Sequence, residues 1–475
     1  MDIKTGELKK ITPMGLMLMF IMFIGGIVAP MRDALMVKVA ICGGAGTTVI
    51  LKLVAAPLAS ILLMAVFIKL TKKYSTAQVL TLVVLFFVGF FLLFGTILFP
   101  LRNHLQMSEA TIKYWQAIFP HAHWIIVCIG NWLLSLFYIM CGLWTVAALP
   151  LTFWHIANTY TTREEAKKYF GFLNLLGPVG GFSAGYLSQY LNKKANSASS
   201  YEQCVLWQLV ITGIVGAFLI LTGRFLFKRV IKDDAPMASQ MKSKEKMGIW
   251  NSIKYIATDK KAVCVALLAA SYYMVMNPVE AAWKDQMKIA SSNASKFHAA
   301  NSRVLVYINL IIIVLSLVMT VSLKKFKWQT TALISPVLLG TFGLSFMIIS
   351  EQVNVWGSNM VLNGKMLVSW AIMVGTIAIW VTKGCKKSVF DTTKNLAYRI
   401  LPPEDRLTAR LATETCGSRM GEVIGNAVPA ILTNIIFPGA SVISKKVLPC
   451  MIIFTVTGLI IWLFVISKIQ KYTVE

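Results

Sequence analysis

Apolar residues recur along this chain in long runs separated by short polar stretches, and a helix needs about 20 apolar residues to cross a hydrocarbon core of about 30 Å. Twelve runs meet that length. Six cover residues 11–31, 45–68, 76–100, 124–158, 169–191 and 204–227, and six more cover 262–283, 304–323, 330–350, 362–390, 415–437 and 447–466. The fourth is the longest, so its end is expected to project into water. Between the two sets of six lies 228–261, the longest polar stretch, with Asp233, Asp234, Pro236 and many lysines. The pattern predicts an all-α integral membrane protein of twelve transmembrane helices in two six-helix bundles. Their expected bounds are 1–227 and 262–475, with 228–261 as a cytoplasmic linker.

Composition agrees: 57% of the 475 residues are hydrophobic and 14% charged, against about 25% charged in soluble domains. So few charges cannot cover soluble, disordered or fibrous units of this size. The net charge of +26 follows from topology, because basic residues stay on the cytoplasmic side of short loops: roughly thirty fall on the side of the N-terminus and about fifteen elsewhere. Both termini are therefore expected in the cytoplasm. Clusters such as Lys69, Lys72, Lys73 and Lys324, Lys325, Lys327 read as topogenic, and no nucleic-acid partner is expected. The first run is too long for a signal-peptide core, and no Arg- and Ser-rich transit extension precedes it, which points to a bacterial inner (plasma) membrane. Eight cysteines sit singly, mostly inside spans, and read as buried free thiols.

The two halves resemble each other. Pro30 with Arg32 and Asp33 is matched by Pro278 with Glu280 and Lys284, 248 residues on. Glu164 and Gly177 are matched by Glu404 and Gly417, each 240 residues on. Duplicated six-helix units are the layout of transporters that rock two bundles around a central site. Polar groups in spans mark that site, since an ionisable side chain at the bilayer centre costs at least about 2.5 kcal/mol unless it faces protein or water. The candidates are Arg32, Asp33, Lys52, Glu280, Lys284, Lys383, Lys386, Lys387, Arg419 and Glu422. Bases outnumber acids, so a cavity lined by them suits a polyanion such as phosphate. Arg32, Lys284 and Lys383 could instead snorkel to the interface. Tyr138, Trp144, Tyr272, Tyr273 and Trp283 are candidates for stacking on a base, although aromatic residues in spans more often pack in the core or face lipid. Glycines 177, 180, 181 and 185 suit close helix packing or the approach of a phosphate, with packing the more ordinary reading.

There is no G-x-x-x-x-G-K-[ST], H-E-x-x-H or G-x-S-x-G, so transport would run on a gradient or on exchange. His104, His121, His123, His155 and His298 form no metal-ligand spacing, and neither a metal nor a cofactor is expected. A membrane phosphotransferase using Lys and Glu stays open as a remote alternative.

Four blocks resemble the ATP/ADP translocase (nucleotide transporter) family of intracellular bacteria and plastids. Arg32-Asp33-Ala34-Leu35-Met36-Val37 with Ile50-Leu51-Lys52 is similar to its first-helix block. In the fourth span Phe137-Tyr138, Leu143-Trp144, Phe153-Trp154, Ala157-Asn158 and Glu165-Ala166-Lys167 stand where the family has the same or similar residues. The seventh reads Asn277-Pro278-Val279-Glu280-Ala281-Ala282-Trp283-Lys284. The most specific block runs from Lys383 to Tyr398. The resemblance implies a twelve-helix, major-facilitator-like fold that exchanges or takes up nucleotides, most simply of the ATP/ADP type; separately, a monomer is expected. The resemblance makes Arg32, Lys52, Lys284 and Lys386 partners for phosphate and Glu280 a partner for Lys284 or a titrating group. Tyr138, Trp144, Asn158 and Arg419 are further candidates for substrate binding. Two departures stand out: the family's Glu before Leu-Trp is Gly142, and a Lys in the eleventh span is replaced by Glu422. Together they make the expected site one charge more negative. Proton-coupled uptake of other ribonucleotides, NAD/ADP exchange, or a facilitator for another organic anion therefore stay open as alternatives.

Overall fold

The computed structural model describes residues 5–161, 163–195, 197–231, 258–322, 327–356, 361–401, 413 and 417–474. Twelve long helices occupy the twelve predicted spans. They are α1 (Lys9–Val39), α2 (Ala45–Lys73), α3 (Thr76–Leu98), α4 (Trp132–Ala157), α5 (Arg163–Lys194), α6 (Ala198–Ile231), α7 (Lys260–Ala290), α8 (Ala294–Val318), α9 (Trp328–Asn354), α10 (Met366–Ala397), α11 (Ser418–Ile431) and α12 (Leu448–Tyr472). Ten of them are long and apolar enough to cross a membrane, while α5 and α11 carry more charge, glycine and proline. The chain is a multi-pass membrane protein. Most of the predicted linker, including Asp233, Asp234 and Pro236, lies outside the described residues, as do Lys324, Lys325 and the loop from Glu404 to Arg410.

Several boundaries differ from the apolar pattern, and at two of them the reason is polar. Helix α8 starts at Ala294, before the expected 304, because the polar side chains of its first turns bond across to α5. Helix α7 runs on to Ala290. The fourth span is broken at Asn131, where helix His123–Gly130 ends. That fully buried side chain receives the Ile41 N–H at 2.8 Å and donates to the carbonyls of Ile41 and Val127 at 2.9 and 2.8 Å. Cys450 is exposed, contrary to the expectation of buried thiols.

Glycine sets how closely the helices of each half approach, as small residues do where no hydrophobic gradient drives packing. A Cβ at Gly180 would strike the Met19 carbonyl of α1, and one at Gly421 would strike the Ala270 carbonyl of α7. The α1–α5 and α7–α11 contacts are thus equivalent in the two halves, as the internal repeat predicts. Gly180→Ala and Gly421→Ala are each expected to cost about 1–3 kcal/mol through overpacking against backbone. A fall in the thermal midpoint of the purified protein checks this. Gly89→Ala, with nothing within 4 Å, is the control; equal midpoints for all three would contradict it.

Several helices also contain a π-turn, the irregularity that tends to occur at functional positions. Leu35–Val39 carries Lys38, Leu51–Ala55 carries Lys52, and Lys386–Phe390 carries Lys386 and Lys387.

Candidate functional site

Four helices, two from each half, bring the charged span residues together. Glu280 of α7 is the centre: its Oε1 lies 3.0 Å from Lys284 Nζ, 3.1 Å from Lys383 Nζ and 3.5 Å from Lys52 Nζ. Lys284 reaches Glu280 because the two are one turn apart on α7. Its ammonium also lies 2.9 Å from Asp33 Oδ2 of α1, which accepts a further bond from Asn301 Nδ2 at 3.4 Å. Two ion pairs therefore cross between the halves, Asp33–Lys284 and Lys52–Glu280. The Lys284 side chain is 2% exposed and that of Glu280 10%, whereas Lys383 keeps 33% and Lys52 18%. The hub is dry on the Lys284 side and open on the Lys383 side.

Two more cations flank it, held by rings rather than by carboxylates. The Arg32 guanidinium lies 4.7 Å from the centre of the Tyr138 ring, and its buried Nε has no hydrogen-bond partner among the described residues. Lys386 Nζ sits 4.9 Å from the ring of Tyr273 and 5.7 Å from that of Tyr272. Such contacts hold a cation without neutralising it. The group thus sets five cations, Arg32, Lys52, Lys284, Lys383 and Lys386, against three carboxylates: Asp33 and Glu280 in the hub, and Asp391, whose charge acts on Lys386.

Other sequence candidates lie elsewhere. Trp144 is fully buried, donates its indole N–H to the Ile21 carbonyl at 3.4 Å and packs edge-on against Phe87. It holds α4 to α1. Arg419 pairs with Glu422 of its own helix at 2.8 Å. Asn158 is in helix Trp154–Tyr160, with its side chain outside the described set. Lys383 joins the hub although snorkelling was an open reading for it. Its place inside an apolar span, one turn before Lys386, was the available signal.

Sequence reading missed a clasp between the halves on the face away from the N-terminus. Lys38, at the end of α1, donates to the Ser291 carbonyl beyond α7 at 2.6 Å. Reciprocally, Lys288 of α7 donates to the Gly43 carbonyl beyond α1 at 2.5 Å. Each ammonium thus bonds a carbonyl just past the end of the opposing helix, the place where cations are favoured. Asn434 Oδ1 accepts the Trp124 N–H at 3.0 Å close by. Beside the clasp, wholly buried Ser188 of α5 bonds His298 at 3.1 Å and Ser302 at 2.8 Å on α8, and Gln208 at 2.8 Å on α6. The clasp is expected to yield first: each of these charge-assisted bonds is worth about 1.5–3 kcal/mol net, against about 3–5 kcal/mol for breaking a buried ion pair. In a Cys450→Ser background, Lys38→Met with Lys288→Met should speed alkylation of Cys42, next to Gly43, several-fold by an impermeant thiol reagent. An unchanged rate would show that these lysines do not hold the face closed.

A family model described as "TLC ATP/ADP transporter" matches residues 1–472. The chain is 28% identical over 477 residues to ADP,ATP carrier protein 1 of Rickettsia conorii, covering 98% of this chain and 93% of that protein. It is 29% identical over 423 residues to ADP,ATP carrier protein 1 of Rickettsia prowazekii, covering 87% and 83%. Among solved structures it is similar to a mutant of the nucleoside transporter NupG, with TM-score 0.55 and 13% identity over 96% of this chain and 99% of that one. It is also similar to a D-xylose–proton symporter, with TM-score 0.59 and 12% identity over 96% and 97%. At such identities these two likenesses establish the fold, a major-facilitator-like pair of six-helix bundles.

Proposed function

The chain belongs to the TLC ATP/ADP transporter family, and from that premise we propose that it exchanges ATP and ADP across a bacterial inner membrane by alternating access. The observation that carries this reading is the excess of cations between the halves: five against the three carboxylates Asp33, Glu280 and Asp391, suited to the several charges of a nucleoside di- or triphosphate. We place both termini in the cytoplasm, bound the bundles at 227 and 262, and take the monomer as the working unit. The clasped face is then the extracellular gate.

The geometry also gives a reason for exchange rather than leak. In the empty carrier, Asp33–Lys284 and Lys52–Glu280 tie the halves together, and separating them would leave buried charges unpaired. Removing one partner from a buried pair costs about 3–5 kcal/mol. Phosphate oxygens take over the ammonium groups of Lys52, Lys284 and Lys383, so the loaded carrier can part its halves where the empty one cannot. A ligand moves such an equilibrium only by its differential affinity for the two states, and phosphate contacts shared by both halves supply it.

The test is uptake of labelled ATP, ADP, other ribonucleotides and NAD by proteoliposomes, with and without internal nucleotide and with and without a proton gradient. Exchange predicts ATP or ADP uptake that needs internal nucleotide and is indifferent to the gradient. Gradient-driven uptake, or uptake confined to NAD or another nucleotide, would replace the ATP/ADP reading. Chemical change of the label would point to an enzyme.

A further inference from the structure

In the C-terminal half, α8, α9 and α10 enclose a crevice of about 500 Å³. Val314 of α8 and Ile334 of α9 form its rim, and both are exposed, so it opens away from the bundle toward lipid. Its floor is the buried pair Cys385 and Val389 of α10. Lys383, two residues before Cys385, points to the other side of that helix, where it meets Glu280 at 3.1 Å. The crevice therefore backs onto the helix that carries the hub lysine but does not share its charged face. The lining is apolar apart from the Cys385 thiol and the hydroxyls of Thr330 and Thr331, at the start of α9. At that end Thr331 donates to the Lys327 carbonyl at 3.4 Å, and the Trp328 indole ties α9 to the Thr393 carbonyl of α10 at 2.9 Å. Lys327 is exposed, and among the described residues no carboxylate pairs with it.

We propose that this crevice holds an acyl chain of an anionic phospholipid from the leaflet on the side of the N-terminus, with the lipid's phosphate at Lys327. Its volume falls in the range of ligand sites, about 300–1,000 Å³. Its apolar depth suits hydrocarbon and excludes a polar ligand, whose groups would be buried without partners. The threonine hydroxyls at the mouth can meet ester oxygens, and the ammonium beside them can meet a phosphate. Lys327 belongs to a loop that carries Lys324 and Lys325 in the sequence, and basic segments next to a span attract anionic headgroups. The lysine at the mouth selects a phospholipid over a helix of a second copy, whose apolar face would gain nothing from it. The acyl chain packs behind the π-turn Lys386–Phe390 and supports α10 from the side opposite the hub. The site is independent of which solute is carried.

The test titrates the purified full chain in detergent with phosphatidylglycerol or phosphatidylcholine of identical acyl chains and reads the thermal midpoint, which rises as ligand binds the folded state. Phosphatidylglycerol should raise the midpoint saturably and half-saturate at about fivefold lower concentration than phosphatidylcholine, the preference one interfacial lysine supplies. Lys327→Gln should erase that preference while both lipids still bind. Val314→Trp fills the crevice from α8 and should raise the half-saturating concentration of phosphatidylglycerol about tenfold or more, since two buried CH₂ groups are already worth that much. Ile334→Trp makes the same change from α9 and covers the case in which Val314→Trp fails to fold. Ile453→Trp, at an exposed apolar position of α12, is the control and should respond as the parent does. Equal half-saturation by the two lipids in the parent, a preference that survives in Lys327→Gln, an undiminished response in the crevice variants, or an equal loss in Ile453→Trp would each overturn the proposal. A changed oligomeric state in the crevice variants with an unchanged lipid response would overturn it too, and would give the crevice to a second copy.

Discussion

Glu280→Gln lowers exchange by about a hundredfold or more while leaving nucleotide binding at least as tight as in the parent protein. The expectation follows from the position of this carboxylate between three ammonium groups at 3.0, 3.1 and 3.5 Å. Gln keeps the shape and removes the charge, so three cations face one another in a largely buried space. Phosphate binding then gains, because Lys383 and Lys52 lose their carboxylate and only Asp33 still competes for Lys284. Turnover falls because the loaded and empty states no longer balance: an anion that neutralises the hub is held instead of released. A residue that only touched substrate would show weakened binding, and a residue that only carried a proton would leave strict exchange intact. Glu280→Asp, which keeps the charge on a shorter arm, should recover part of the rate. The check is steady-state exchange together with equilibrium binding on the same preparations. Full exchange in Glu280→Gln would remove the hub from the mechanism.

Lys284→Gln should be still more damaging, because it acts on stability as well as on transport. Lys284 is the most buried charge of the group and the only one that touches both carboxylates, Asp33 at 2.9 Å and Glu280 at 3.0 Å. Removing it leaves Asp33 without its cross-half partner, a loss of about 3–5 kcal/mol for a buried pair, large against total stabilities of about 5–15 kcal/mol. The thermal midpoint in detergent should drop sharply and transport should vanish. Adding Asp33→Asn to Lys284→Gln removes the orphaned carboxylate, so stability should return in good part while transport stays lost. Lys284→Arg should not restore full activity, since a planar fork does not fit where a compact ammonium bridges two carboxylates. Single and double variants with equal midpoints would show that the cross-half pair contributes nothing to the folded state.

The spans were legible because a bilayer demands continuous apolar runs, so residues 45–68 or 76–100 could be read without any tertiary knowledge. The duplication was also legible, since proline and charge recur near residues 30 and 278. Polar segments that bury themselves against protein were not. Helix α8 begins with Ser295, His298 and Ser302, a stretch that reads as a loop until α5 is set beside it, where Ser188 meets the last two at 3.1 and 2.8 Å. Asp33 and Lys284 are 251 positions apart, and no periodicity links them. Lys38 and Lys288 lie beyond the predicted ends of their spans at 31 and 283, and nothing local shows that each bonds a backbone carbonyl of the other half. The identity of the hub residues as chemically important came from their cost in lipid. Their arrangement into one carboxylate with three lysines came only from the fold.

Counter-exchange is the most direct measurement. Proteoliposomes are loaded with labelled ADP, freed of external label, and then given unlabelled ATP, AMP or buffer on the outside. Rapid efflux on addition of ATP, and almost none with buffer or AMP, is the predicted result. Equal efflux under all three conditions, or none under any, would contradict an ATP/ADP exchanger whose empty form is tied shut by its own ion pairs.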